Sequence, residues 1–587
     1  MAAEHRSASQ SRILSLLASG DHQAAETVLA ELDGEADAQT QFLRGLLWLV
    51  RDQPQSAKQA LALAAAGLPD SPAVQANLAL CLYRCGEFDA ALAASARAIA
   101  LAPRHADNHF NRGLIELALN RPDAAIAAFA RACDLAPESR QAWLRLGETQ
   151  HARGNYLGAE VAYRRALDLA PDDADLHVRL SSLTYDSGVA DTALAEAQAA
   201  IAIDPSLALA WTRKSAALRR LGRLAEAMEA VKTALQLEPE QADALKARAL
   251  IHQMQNRLVP AAEDFLVATR MRFAPGGSGV PALRELRRGS RAKLGHDIDQ
   301  LQWLSQNNLL HDDALLAAHV EALTMMPSDV PEATSIDLPA AVLDRLDGGF
   351  NRLHHWSQPD VLAGGALNPS LDVAQIEADY RANPGAEIGW IDSLLRPEAL
   401  ALLHRYCLAN TFWFDAEHVN GYLGAFFEDG FTAPLLLQIA GELRARFPRI
   451  FRDDPLTQLW AFKYDSRLDG IELHADIAAV NLNFWITPDA ANTDPESGGL
   501  VVWDKAAPPE WGFDEFNTST VAGQTRITQF LQRSGAHAVR VPYRQNRAVL
   551  FNSDLFHRTD TIRFREGYEH RRINITMLFG KREGRTN

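Results

Sequence analysis

The sequence predicts a multidomain chain: an all-α superhelix of repeated helical hairpins, then a β-sandwich or jelly roll with flanking helices. Three observations lead to this fold class. Prolines recur every 34 residues in the first half of the chain, which is the period of a helix-turn-helix repeat. A glycine- and proline-rich cluster, APGGSGVPAL, interrupts the chain at 274–283. Short strand-like runs separated by turn residues begin near residue 386.

The repeat is marked by small and aromatic residues as well as by proline. One repeat has Trp143 and Gly147 in its first helix and Tyr163 in its second. Small residues allow the paired helices to approach closely, and each proline ends a second helix. Residues 38–275 resemble the tetratricopeptide repeats, a family that binds peptides or protein segments in a groove. The repeating prolines are Pro69, Pro103, Pro137, Pro171, Pro205 and Pro239.

The same patterns divide the chain into three predicted domains. Residues 1–275 form the repeat array, and residues 276–385 form a helical and irregular connector. Residues 386–587 form the β-rich domain, which begins with a short strand and two helices. We expect the functional site in the β-rich domain, because its motifs contain histidine and aspartate at a spacing that suits metal ligands.

The tripeptide His-Ala-Asp occurs twice and means different things in the two places. His105 and Asp107 lie at a boundary between repeats, where Asp107 begins or caps a helix. Residues i and i+2 of a helix do not share a face. His474 and Asp476 lie in a predicted extended segment, where residues i and i+2 do share a face. We therefore expect one metal site, formed by the second copy and by His557, which follows a buried-looking strand.

His474, Asp476 and His557 are called the metal triad below. Two imidazoles and one carboxylate leave positions open on a metal, an arrangement that suits non-haem Fe(II) enzymes. Zinc is the competing metal, because it also accepts histidine and carboxylate ligands.

A polar strand face lies close to the predicted triad. In the run RRINITMLF, period two puts Arg572, Asn574 and Thr576 on one face and apolar side chains on the other. Arg571 falls on the apolar side. Arginine offers a rigid fork for a carboxylate, so Arg572 is the candidate carboxylate clamp. In VNLNFWI the same alternation exposes Asn483 on a polar face.

Residues 386–582 resemble the Fe(II)- and 2-oxoglutarate-dependent dioxygenases, in the prolyl 4-hydroxylase-like branch. The matching elements are HAD, SGGLVVW, RAVLFNSDLFH and RINITMLF, in this order. The resemblance implies a double-stranded β-helix fold. It also implies that the metal triad binds Fe(II), that Arg572 pairs with the distal carboxylate of 2-oxoglutarate, and that Tyr464 donates a hydrogen bond to this cosubstrate. Asn483 and Thr576 are the remaining candidates for cosubstrate binding. O2 and ascorbate, as a reductant, complete the implied cofactors.

The combination of domains suggests a dioxygenase that hydroxylates a protein or peptide captured by the repeat array. Two alternatives remain open: an oxygenase for a small molecule or carrier-bound metabolite whose repeats recruit a partner, and a non-catalytic repeat adaptor. The intact triad and Arg572 argue against the adaptor. Residues 504–538 form an insertion that acts as a lid or specificity element, or packs against the connector.

Charge and hydropathy exclude several classes of partner. The net charge of −16 argues against nucleic acid as the main ligand. No stretch of 18 apolar residues occurs, so we expect no membrane span. The N-terminus lacks the pattern of a secretory signal, which favours a cytoplasmic protein. The sequence indicates no oligomeric state.

Overall fold

The chain forms two compact units, Met1–Arg223 and Leu224–Asn587. The structure is a computed structural model. It describes side chains from residue 8 onward. The described residues are 2–32, 37–275, 286–382, 386–416, 420–465 and 470–581.

The described part of the first unit is built of successive helices joined by short turns, as the repeat pattern predicts. Each helix packs against the next helix in the chain, so neighbours form hairpins. The helices are α1 (Ala2–Ser19), α2 (His22–Ala30), α3 (Ala38–Val50), α4 (Pro54–Gly67), α5 (Pro72–Arg84), α6 (Phe88–Leu101), α7 (Ala106–Ala118), α8 (Pro122–Leu135), α9 (Arg140–Ala152), α10 (Tyr156–Leu169), α11 (Ala174–Asp186), α12 (Ala190–Ile203) and α13 (Ala208–Arg220).

The prolines of the repeat also act as hydrogen-bond acceptors. Trp143 Nε1, six residues after Pro137, donates to the carbonyl oxygen of that proline at 2.9 Å. A carbonyl oxygen in the turn after one helix is thereby bonded by a side chain of the first helix of the next hairpin. The same contact joins Gln75 to Pro69, His109 to Pro103 and Trp211 to Pro205.

Two glycines confirm the prediction that small residues let paired helices approach. A Cβ atom at Gly147 would lie 2.6 Å from the ring of Tyr163 in the partner helix. A Cβ atom at Gly113 would lie 2.5 Å from the ring of Phe129. Any side chain at these positions would push the two helices of the hairpin apart.

The second unit begins with three further helices of the repeat pattern and continues into connector helices and a β-rich region. Its helices and its two shortest strands are α14 (Leu224–Leu237), α15 (Ala242–Met254), α16 (Leu258–Phe273), β1 (Arg288–Gly289), α17 (Arg291–Gln306), α18 (Asp313–Met325), β2 (Ile336–Asp337), α19 (Ala340–Leu346), α20 (Val373–Arg381), α21 (Pro397–Ala409), α22 (Pro434–Arg446), α23 (Pro448–Phe451), α24 (Phe513–Phe516) and α25 (Val521–Arg533).

The division between the two compact units, after Arg223, differs from the domain boundary that the sequence predicts near residue 275. The glycine- and proline-rich cluster lies outside the described residues from residue 276 onward. Helix α16 packs on the β-rich region: the Phe273 ring stacks on Phe414 with centroids 4.0 Å apart, and Phe265 meets Phe427 at 5.3 Å. These aromatic contacts join the last repeat helices to the β-rich region as one hydrophobic core.

The β-rich region contains two antiparallel sheets. The larger sheet has the strand order β3-β9-β6-β11-β5-β4, and the smaller has the order β10-β7-β8. An isolated bridge between His474 and His557 adds the segment 471–476 beside β10. The strands are β3 (Ile388–Ile391), β4 (Leu423–Phe426), β5 (Leu456–Tyr464), β6 (Val480–Trp485), β7 (Leu500–Ala506), β8 (Ala538–Val541), β9 (Ala548–Asn552), β10 (Leu555–Thr559) and β11 (Arg572–Phe579).

Strand β11 has the two faces that its alternation predicts. Ile573 and Ile575 belong to a core that also contains side chains of α21 and α22. On the opposite face of the large sheet, Trp485 of β6 and Phe551 of β9 pack with Val502 of the small sheet. The two sheets therefore face each other across an apolar layer, and the helices cover the outside of the large sheet.

No helix within the described part of the chain combines the length and the apolar character needed to cross a membrane.

The packing of α16 predicts where the chain can be shortened. A chain that begins at residue 224 retains Phe265 and Phe273, which are 0% and 1% exposed. A chain that begins at residue 276 loses both rings, and removal of one buried phenylalanine side chain alone costs about 3–5 kcal/mol. We expect cooperative urea unfolding from the first chain and aggregation from the second. Equal folding of both, by circular dichroism and gel filtration, would contradict this packing.

Candidate functional site

Two histidines far apart in the chain face each other across neighbouring segments. The backbone N–H of His474 donates to His557 O at 3.0 Å, and the N–H of His557 donates to His474 O at 2.8 Å. The centroids of the two imidazole rings are 4.2 Å apart. His557 lies at a register shift in β10, beside Leu555. This pair of backbone hydrogen bonds fixes the distance between the two side chains.

The Nδ1 atom of each imidazole lies within hydrogen-bond distance of a backbone carbonyl oxygen. His474 Nδ1 lies 2.8 Å from Glu472 O, and His557 Nδ1 lies 3.1 Å from Leu555 O. Because a carbonyl oxygen can only accept, each neutral ring carries its proton on Nδ1. The lone pair on each Nε2 is then free for a cation, which is the usual arrangement of a histidine ligand.

Both Nε2 atoms lie near the carboxylate of Asp476. His557 Nε2 is 3.5 Å from Asp476 Oδ2, and His474 Nε2 is 3.9 Å from Asp476 Oδ1. The possible ligand atoms of the three residues all lie within 4.8 Å of one another, and this is the one such group of three or more found in the described part of the chain. The arrangement can hold one metal ion on one side.

Burial adjusts the charges of the triad. Desolvation, followed by repulsion from His557, lowers the pKa of His474 to about 4. For Asp476, burial acts to raise the pKa, but the close approach of the His557 and His474 imidazoles, together with the hydrogen bond from Asn481, outweighs burial and lowers the pKa. At neutral pH the site therefore offers an uncharged imidazole at His474 and an ionised carboxylate, the protonation states in which these groups bind a metal.

A row of buried amides and a hydroxyl continues from the triad across the large sheet. Asn481 Nδ2 donates to Asp476 Oδ2 at 2.8 Å, and Asn483 Nδ2 donates to Asn481 Oδ1 at 2.6 Å. Asn483 Oδ1 accepts from Thr576 Oγ1 at 2.7 Å and from Asn574 Nδ2 at 2.8 Å. Asn574 Oδ1 has no hydrogen-bond partner among the described residues. These side chains form the polar row.

Arg572 lies at the far end of the polar row and is 1% exposed. Its Nε donates to Gly498 O at 2.6 Å, and its guanidinium carbon is 4.8 Å from the centroid of the Tyr464 ring. Nη1 is buried and has no hydrogen-bond partner among the described residues. Burial lowers the pKa of Arg572 from its usual range, and a buried guanidinium with an unused N–H group is well suited to an anionic ligand.

Arg571, the neighbouring candidate, is already engaged. Its Nη2 lies 2.8 Å from Asp299 Oδ2 of α17, and its Nη1 lies 2.8 Å from Asp465 Oδ2. Asp465 follows Tyr464 at the end of β5, while Arg571 precedes β11. The ion pairs therefore fasten together the ends of the two strands that hold Tyr464 and Arg572.

The structure brings all the sequence-predicted residues to one region between the sheets. Tyr464 pairs with Arg572 across β5 and β11, and Thr576 pairs with Asn483 across β11 and β6. The hydrogen bonds of Thr576 and Asn483 are directed largely to each other and to Asn574. Asn481 and Asn574 were not among the predicted site residues, although both lie on the polar phase of the alternation.

The residues present fit a divalent metal and a carboxylate ligand. The triad supplies two imidazole nitrogens and carboxylate oxygens. Arg572 supplies an unpartnered buried N–H group at the other end of the polar row. A ligand with a metal-binding group at one end and a carboxylate at the other would match both the metal triad and Arg572.

Comparison with known proteins identifies the helical repeats. A family model described as tetratricopeptide repeat matches residues 77–140, 110–174 and 212–278. The helical hairpins within these residues are therefore tetratricopeptide repeats, as the sequence predicts. This family typically binds protein or peptide partners. No curated protein sequence matches the chain.

Several solved structures are similar to part of the chain. Pseudomonas aeruginosa pilF is 20% identical with a TM-score of 0.31, and the match covers 34% of this chain and 93% of that chain. A tetratricopeptide repeat protein from Parabacteroides merdae is 19% identical with a TM-score of 0.34, covering 40% and 93%. YrrB, described as having an unusual peptide-binding site, is 21% identical with a TM-score of 0.30, covering 32% and 97%.

The lowered pKa of His474 predicts a loss of stability in acid. The unfolded imidazole titrates near pH 6.5, so the metal-free protein loses stability as the pH falls from about 6.5 to 4, by up to about 3 kcal/mol from this residue. His474→Gln should flatten this part of the profile, measured by urea unfolding in a chelator. His537→Gln is the matched control, because the His537 side chain is 87% exposed. If the free energy of unfolding changed equally with pH in the unsubstituted protein and in both variants, the burial of a neutral His474 would be contradicted.

Proposed function

We propose that residues 386–582 form an Fe(II)- and 2-oxoglutarate-dependent dioxygenase that hydroxylates a side chain of a protein or peptide. The observation that carries this proposal is the convergence of the metal triad on one region with the unpartnered Nη1 of Arg572. A metal site and a buried cation connected by one polar row provide the two attachment points that a chelating dicarboxylate requires.

The sheets support a double-stranded β-helix. Each sheet contains neighbours that are distant in sequence, since β11 lies between β5 and β6 and β10 lies beside β7. The two sheets share one apolar layer. The triad lies on β10 and the adjoining segment, and Arg572 lies on β11, so the site is between the sheets.

Each residue of the site has a distinct task. The metal triad would hold Fe(II) through the Nε2 atoms of the two histidines and the Asp476 carboxylate. Arg572 pairs with the distal carboxylate, and Tyr464 packs against the guanidinium. Iron and a 2-oxo acid, when bound there, would supply the chemistry that activates O2. Asn481 orients the Asp476 carboxylate, and the apolar layer between the sheets excludes water from the polar row.

The substrate class follows from the repeats. Tetratricopeptide repeats typically bind protein or peptide partners, so the array captures the chain whose side chain is hydroxylated. This assignment favours a protein substrate over a small molecule or carrier-bound metabolite.

The site residues are tested by two substitutions. His474→Ala removes one of three ligands, so we expect loss of Fe(II) binding and of 2-oxoglutarate turnover to succinate. Arg572→Ala should raise the KM for 2-oxoglutarate by about 10- to 150-fold while Fe(II) binding persists, since a charge-assisted bond contributes about 1.5–3 kcal/mol.

Arg558→Ala is the control for the clamp, because Arg558 follows His557 but its side chain is exposed. An unchanged KM for 2-oxoglutarate in Arg572→Ala would contradict the clamp assignment. Full succinate release with zinc in place of iron would contradict the proposed chemistry.

The role of the repeats is tested with the chain that begins at residue 224. The full chain is incubated with Fe(II), ascorbate, 2-oxoglutarate and cell lysate, and peptides are searched by mass spectrometry for a gain of one oxygen. We expect modified peptides with the full chain and at least tenfold fewer with the shortened chain, since the capture surface is removed. Unmodified peptides, together with succinate release driven by a metabolite fraction, would replace the protein substrate with a small molecule.

A further inference from the structure

The segment that holds two residues of the metal triad has hydrogen-bond partners on two sides. On one side it pairs with β10, through the backbone bonds of His474 and His557 and through Thr559 N–H, which donates to Ile471 O at 3.1 Å. The intervening residues Leu473 and Ala475 direct their backbone groups away from β10. They require other partners, because an unpaired buried backbone group is costly.

Those partners come from the insertion at 504–538. Ala475 N–H donates to Phe516 O at 3.1 Å. Gln524 Nε2 donates to Leu473 O at 2.8 Å and to Thr518 O at 2.6 Å. The two acceptors engage both N–H bonds of the Gln524 amide, so its orientation is fixed. Asn517 Nδ2 lies 3.4 Å from Ala475 O and adds a weaker contact.

Apolar side chains also pack between the insertion and the segment that holds His474 and Asp476. Leu473 and Ala475 are 8% and 0% exposed and pack with Phe516, Ile527 and Leu531 of the insertion. Alternate residues of the segment thus have opposite surroundings: 473 and 475 contact the insertion, and 474 and 476 contact the site. Displacement of the insertion would break these hydrogen bonds and expose the apolar cluster.

We propose that the insertion at 504–538 supplies the hydrogen-bond partners that a neighbouring strand would otherwise give to the segment 471–476. In this arrangement Gln524 is a positioning residue that holds His474 and Asp476 in their metal-binding geometry. This inference rests on the proposed function, since it concerns the same metal triad. It assigns the insertion to the support of the metal site and not to a lid that opens in each turnover.

The physical basis is the rigidity of the ligand-bearing backbone. His474 and Asp476 lie on either side of Ala475, so the backbone groups of residues 473 and 475 set their directions. Without the Gln524 amide, Leu473 O loses its side-chain donor and the segment is fastened on that side by fewer bonds. Removal of groups that orient metal ligands typically costs about 10- to 100-fold in metal affinity.

The test compares Gln524→Leu with Gln532→Leu. Both glutamines belong to α25, but Gln532 is exposed. Co(II) serves as the probe, since its absorption spectrum reports coordination geometry. We expect Gln524→Leu to weaken Co(II) binding by about 10- to 100-fold and to alter the spectrum of the saturated protein, while Gln532→Leu matches the unsubstituted chain. Unchanged affinity and spectrum in Gln524→Leu would overturn the inference.

Two further measurements separate the possible failures. Asn517→Ala removes the weaker contact, so it keeps the inference testable if Gln524→Leu does not fold; we expect weaker Co(II) binding and faster amide hydrogen exchange at residue 475. Normal binding and exchange in Asn517→Ala would count against the inference. If His474→Ala retains Co(II) binding, the proposed function fails and the inference fails with it. If His474→Ala loses binding while folded Gln524→Leu keeps it, only the inference fails.

Discussion

The candidate site depends on one pair of backbone hydrogen bonds, between His474 and His557. This pair brings together two side chains from distant parts of the chain and sets the spacing of their rings. The carbonyl contacts at each Nδ1 then direct both Nε2 atoms towards Asp476. Because Asp476 is also bonded to Asn481, the same contact aligns the triad with the polar row of the large sheet. A shift of one residue in this pairing would turn His474 away from the site and leave Arg572 without a metal centre beside it.

Local periodicity was sufficient to predict much of this organisation. The proline spacing predicted the helical hairpins because each hairpin repeats the same contacts. Period two predicted that Arg572 and Thr576 share a face, since alternation in a strand is independent of what the strand packs against. It also predicted His474 and Asp476 as a pair. The β-rich character of the C-terminal region followed from the same alternation, while the finer assignment to a dioxygenase rests on the proposal.

Contacts between distant residues were not predictable from these patterns. The ion pair of Arg571 with Asp299 joins a strand end to a connector helix and leaves no periodic signal in either segment. The hydrogen bond from Gln524 to Leu473 likewise depends on how the insertion folds back. Strand β4 leaves no clear signal in the sequence, because LGAF is short and lacks alternation; its pairing with β5 defines it. The packing of Phe273 on Phe414 of the β-rich region also leaves no signal in the sequence. A buried aromatic residue fits the pattern of a repeat helix whether it packs within the repeat or on another region.

The proline contacts of the first unit have a consequence for how it unfolds. Each bond from a side chain to a repeat proline spans six residues, and each helix packs mainly on its chain neighbours. Stability in such an array is close to a sum of nearest-neighbour terms. We therefore expect the hairpins of the first unit to separate in steps, beginning where a helix has a neighbour on one side only. The strands of the β-rich region, such as β11 between β5 and β6, include pairs far apart in the chain, and we expect them to separate together. The same polypeptide thus combines a gradual transition with an all-or-none one.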